Sequence, residues 1–90
     1  MTSIDALLAD RSRTHGDFSD QAWITQAMKE IMRREPGWAR LSPVQREALE
    51  MLAHKIGRVL AGNPLLEDHW RDMAGYSTLV ADRLPPDAVG

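Results

Sequence analysis

Ninety residues without a cysteine make one small domain and exclude disulfides, thiolate metal sites and cysteine nucleophiles. A net charge of −2 with both signs scattered along the chain lacks the basic excess of a domain that neutralises phosphates, so nucleic acid is not expected as a partner. No stretch approaches the ~20 apolar residues of a membrane span, and MTSIDALLAD carries acidic residues where a signal peptide carries basic ones; the expectation is a cytoplasmic chain with no membrane partner.

In chain order, Thr2 or Ser3 caps a short amphipathic helix with Ile4, Leu7 and Leu8 on one face, running to about Thr14 and ended by Gly16. A second helix opens near Asp17 or Ser19 and carries an apolar stripe of Ile24, Ala27, Met28, Ile31 and Met32. Those methionines read as packing. Arg33 and Arg34 suit the helix's negative end, and Pro36-Gly37 stops it. Trp38 and Leu41 are expected to fold back from the loop onto the core.

Ser42-Pro43-Val44-Gln45 is a capping box, with Ser at the cap, Pro at the first helical position and Gln at the third. It sets the start of a third helix that runs to about Ala61, with Gly62 placed as a left-handed cap. Asn63 with Pro64 then reads as the start of a fourth helix reaching about Leu84, where Pro85-Pro86 stop it. Residues 85–90 form a short tail with too little to bury. Strand signals are lacking. The fold expected over residues 1–84 is all-α with four helices, three long and antiparallel plus a short N-terminal one packed across them, assembled as a homo-oligomeric bundle.

At ~100° per residue, Gln45, Ala48, Leu49, Leu52, Ile56, Val59 and Leu60 share one side of the third helix, and Glu47, Glu50, His54 and Arg58 the other. The polar stripe is either a solvated face held by i, i+4 pairs or the wall of a site. Lys55 sits at the border of the apolar arc. On the fourth helix, Leu66, Met73, Val80 and Leu84 form the expected core edge with Trp70 alongside, while Asp68, Asp72, Gly75 and Tyr76 occupy the adjoining face. Asp68 and Asp72, one turn apart, need a cation near them, whether Lys55, Arg58 or Mg²⁺. Gly75 in mid-helix suggests a close neighbour. His69 reads as a surface or partly packed residue.

Arg13-Thr-His-Gly-Asp17, Glu50-x3-His54-Lys-Ile-x-Arg58 and Asp68-His-Trp-x-Asp72-x-Ala-Gly-Tyr76 together resemble a group of small, uncharacterised phage and prophage proteins, over about Asp10 to Leu84. A more distant likeness is to the all-α nucleoside triphosphate pyrophosphohydrolases of the MazG type, which hold Mg²⁺ with Glu-x-x-Glu on one helix and Glu-x-x-Asp on the next and assemble as dimers or tetramers. Glu47-Ala-Leu-Glu50 matches the first half; in the second, His69 stands three before Asp72 and the nearby carboxylate is Asp68. The resemblance implies Mg²⁺ held by Glu47, Glu50, Asp68 and Asp72.

Two functions follow as expectations. In the first, the chain binds or hydrolyses a nucleotide, with Lys55 and Arg58 on the phosphates, Arg13 and His15 contributing from the early loop, Tyr76 or Trp38 on the base, and His54 a further substrate-binding residue. In the second, it is a non-catalytic helical interaction module whose charged residues are interface salt bridges. A DNA-binding helix-turn-helix fits poorly, because the helix after the Gly62-Asn63-Pro64 turn opens with Leu-Leu-Glu-Asp.

Overall fold

The computed structural model describes residues 3–85, the side chains of 12–14 excepted. The expected cap at Thr2 and the end of the tail, residues 86–90, lie outside the described residues. Four α-helices are present, α1 (Ile4–His15), α2 (Phe18–Arg34), α3 (Pro43–Ala61) and α4 (Glu67–Ala81), with a 3₁₀ helix at Pro36–Arg40. Among the described residues there is no strand.

Local chemistry sets most of the boundaries. Ser3 Oγ accepts from Ala6 N (3.1 Å) at the start of α1, and Gly16, at φ +79°, turns the chain out of it. Asp17 caps α2 by accepting from Asp20 N. Both halves of the Ser42–Gln45 box are made: Gln45 N donates to Ser42 Oγ at 3.2 Å and Ser42 N to Gln45 Oε1 at 2.9 Å. Between α2 and α3, where a loop was expected, the 3₁₀ helix carries Trp38, half-buried as expected, under the Arg46 guanidinium. Arg46 also donates to the carbonyls of Trp38 and Ala39.

The α3–α4 turn departs from the sequence reading twice. Gly62 has φ −122° and ψ −134° and is not a left-handed cap. Glycine is needed there because a Cβ would overlap the backbone of His15 and Gly16 in the α1–α2 turn; a Cβ on Gly16 would in turn overlap the Ala61 carbonyl. Asn63 caps a turn instead of a helix. Its Oδ1 accepts from Leu65 N (3.0 Å), and α4 begins only at Glu67. Helix α4 ends at Ala81, and the chain continues to Leu84 in turns in which Arg83 N donates to Val80 O and Leu84 N to Ala81 O.

Helix α3 is the middle of a layer, with α2 packed along one edge and α4 along the other, and α1 lies on α3 and α2. Among the described residues the apolar side chains buried between them are only Ala48 and Ala53; Gln21, Thr25, Lys55 and His69 are buried with them. The seams are therefore small and polar. Gly57 of α3 is the tightest point, since a Cβ there would overlap Thr25 Oγ1 of α2. Two α4 expectations are corrected. Trp70 is half-exposed at 53%, its indole Nε1 held by the Pro64 carbonyl at 2.8 Å. Gly75 has nothing within 4 Å of where its Cβ would stand.

At ~100° per residue, the layer has two unlike sides. Helix α3 turns His54 and Arg58 to one side and Leu49, Ile56 and Leu60 to the other. Helix α1 packs over the first, leaving a cleft between Leu8, Arg11 and His15 and the pair His54 and Arg58. Among the described residues nothing covers Leu60, Trp70 and Ile31 on the second, where they are 66%, 53% and 62% exposed.

Candidate functional site

The polar side is built around a hydrogen-bonded relay between α2 and α3. Gln21 Nε2 donates to Thr25 Oγ1 (3.0 Å) and lies 3.2 Å from His54 Nδ1. With the amide nitrogen as donor, Nδ1 is the acceptor and the imidazole is neutral, its proton on Nε2. Burial, followed by the charges of Arg58, Lys29 and Lys55 and by His15, holds the His54 pKa below its usual value.

Across the other seam, the buried Lys55 ammonium reaches Asp72 Oδ2 at 2.7 Å. The hydrogen bond from Lys55 and then its charge hold the Asp72 carboxyl below the usual range. His69, 2% exposed, meets the His15 ring edge-on, centroids 5.0 Å apart, so an α1 residue closes over the base of α4. The expectation of a surface or partly packed His69 is thereby corrected: its position is three residues before Asp72, on the same inward face as Met73 and Tyr76.

Between these two arrangements lies a cleft of about 620 Å³ lined by Leu8, Arg11, His15, Phe18, His54 and Arg58, with Gln21 at its floor. Asp17 is the one carboxylate in the lining, and it is turned to its own helix as the α2 cap. Burial and then the neighbouring Arg11 lower the Arg58 pKa, while Asp72 and Tyr76 raise it. A guanidinium so displaced remains cationic at neutral pH. Arg58 makes no ion pair or hydrogen bond within the described residues. Two guanidinium groups and two imidazoles on one concave surface form an environment for an anion.

Of the residues expected from sequence, the cleft brings together His15, His54 and Arg58; Lys55, Asp72 and half-buried Tyr76 lie outside its lining, although the charges of Asp72 and Tyr76 act on Arg58. Arg13 has its side chain outside the described residues. The four carboxylates do not converge. Glu50 pairs with Arg33 of α2 and lies 3.9 Å from Lys29, Asp72 pairs with Lys55, and Glu47 and Asp68 are exposed. Among the described residues no group of three or more histidine or acidic side chains could hold a metal ion. The Mg²⁺ set of Glu47, Glu50, Asp68 and Asp72 does not fit within one chain, because basic side chains of different helices already neutralise Glu50 and Asp72.

Arg11, Phe18, Gln21 and Thr25 were missed by the sequence reading. One signal for them existed. Gly57, in mid-helix on α3, marks where α2 comes close, and Gln21 and Thr25 are the i, i+4 pair that meets it. Arg11 opens a run, 11–17, denser in polar groups than a plain connector needs, though it was not named as a site residue; Phe18 depends on how α1 folds back and had no local signal.

An all-α protein with a cationic cleft on one side of a three-helix layer is the class that these features define. The chain belongs to the family described as DUF6378, a domain of unknown function, whose pattern matches residues 2–84. No curated protein and no solved structure matches it. No helix among the described residues is long and apolar enough to cross a membrane.

Proposed function

We propose that the chain binds a phosphorylated nucleotide in the cleft between α1, the start of α2 and α3, as a helical protein of the pyrophosphohydrolase-like kind. The observation that carries this reading is Arg58, a partly buried guanidinium with no carboxylate partner of its own, placed beside Arg11, His15 and His54. A phosphate there accepts charge-assisted hydrogen bonds from the guanidinium groups. Phe18 at the rim is 78% exposed, which suits an aromatic ring that stacks on a base. The scattered carboxylates support binding more than hydrolysis, so no metal-dependent step is assigned.

Calorimetric titration with each deoxynucleoside mono- and triphosphate, with and without Mg²⁺, tests the reading. Arg58→Ala is expected to weaken binding about 10- to 100-fold, about 1.4–2.8 kcal/mol, with an unfolding midpoint at or above that of the wild type. Release of pyrophosphate in the same samples would extend the reading to catalysis. Absence of binding at millimolar nucleotide in both conditions sinks it.

A second reading, a non-catalytic interaction module, is favoured by the exposed side chains of Ile31, Leu49, Leu60 and Trp70. Leu60→Glu and Arg58→Ala separate the two: lost assembly in the first without a nucleotide effect supports the module, and intact assembly with lost nucleotide binding in the second supports the cleft.

A further inference from the structure

We infer that a second copy of this chain seats on the apolar side of the layer, pairing α3 and α4 of one protomer with those of its partner about a two-fold axis. This inference concerns the side opposite the cleft and stands whether or not the cleft takes a nucleotide.

The side is continuous across three helices. At ~100° per residue, Ile31 of α2, Leu49, Ile56 and Leu60 of α3, and Trp70 and Ser77 of α4 all turn to it. An apolar groove of about 310 Å³ between α3 and α4 is lined by Leu49, Leu52, Val80 and Ser77 and closed at one end by Leu41. Ile31, Leu60 and Trp70 are each more than half exposed and Leu49 is 39% exposed, so these four alone present several hundred Å² of apolar surface, on the order of the patches that mark interfaces. The groove between α3 and α4 extends that surface. Trp70 is fixed by its hydrogen bond to the Pro64 carbonyl, which makes it a pre-ordered aromatic anchor.

The occupant follows from two observations. The first is that Ala48 and Ala53 are the only apolar side chains buried within the protomer among the described residues. Folding of so small a core draws on whatever covers the open side. A cover on which folding itself depends must be present wherever the chain is, and a second copy meets that condition. The second is charge. Along α3, Gln45, Leu49, Leu52, Ile56 and Leu60 form an uncharged strip, so self-pairing sets no like charges against each other, whereas pairing through the opposite side would bring Arg58 and Lys29 near their own copies. Both clefts then face outward.

Light scattering of the full chain at about 10 µM gives its mass, and single cysteines in this cysteine-free chain report the face. The expected result is a dimer in which Ser77→Cys resists a maleimide until denaturant is added, while Ser19→Cys, on the outer edge of α2, reacts at once. Leu60→Glu is expected to weaken the dimer at least 10-fold; if that variant does not fold, the labelling of the Ser77→Cys dimer decides alone. A folded wild-type monomer overturns the inference, as does a dimer in which Ser77→Cys reacts as fast as Ser19→Cys, or a chain that is folded alone as a monomer and assembles only with an unlike protein.

Discussion

The two sides of the helical layer solve opposite problems. On the polar side, buried groups are numerous and each is satisfied: Gln21 serves Thr25 and His54, Lys55 serves Asp72, and no buried side-chain nitrogen or oxygen among the described residues lacks a partner. On the apolar side almost nothing is buried, and large side chains stand in the open. Polar networks are directional, so they fix how α1, α2 and α4 sit on α3; apolar surface is not directional and supplies free energy in proportion to the area covered. One side specifies the arrangement, and the other is where stabilisation is still to be gained.

That contrast can be broken most severely at the polar side's turn. Gly16→Ala imposes a Cβ at φ +79° against the Ala61 carbonyl, and the expected loss is about 3 kcal/mol or more, read as a collapse of the urea unfolding midpoint. Acid acts on this side next, through His54. His54 is held below its usual 6.5, so between 6.5 and that lowered value the unfolded chain binds the extra proton. Stability is full above pH 6.5 and declines as pH falls through that window. Asp72, held below 3.8, contributes stability above 3.8 that is lost as pH falls through its lowered value. Urea midpoints against pH should show both declines, and His54→Gln should remove the first while leaving the second. The smallest change expected is a gain: Gly75→Ala meets nothing within 4 Å and should stabilise α4 by up to about 1 kcal/mol without changing the mass of the assembly. A Gly75→Ala chain that loses assembly would move the interface to the polar side.

Where structure is set by neighbours in sequence, the sequence was readable. The Ser42–Gln45 box, the Asp17 cap and the Gly16 turn each close a hydrogen bond or backbone angle within three residues, and the end of α1 and the starts of α2 and α3 follow from them. The failures come where a distant contact overrides a local motif. Asn63-Pro64 has the residues of a helix start, yet Asn63 spends its side chain on Leu65 N. Gly62 sits where a left-handed cap belongs, but its lack of a Cβ serves the α1–α2 turn. The site divides the same way. His54 and Arg58 share a stripe visible from helical spacing, whereas Glu50 leaves that stripe for Arg33 and Lys29 on another helix. Trp70 and His69 exchanged their expected roles because facing helices, which decide burial, leave no mark on α4 itself.

The contact between Gly16 and Gly62 links parts of the chain that would otherwise move separately. The α1–α2 turn and the α3–α4 turn are meshed backbone to backbone, so neither can slide or lengthen without displacing the other. Helix α1 forms the roof of the cleft and α4 carries the Asp72 partner of Lys55. A change in the angle of that roof is therefore felt at the α3–α4 turn, from which α4 departs.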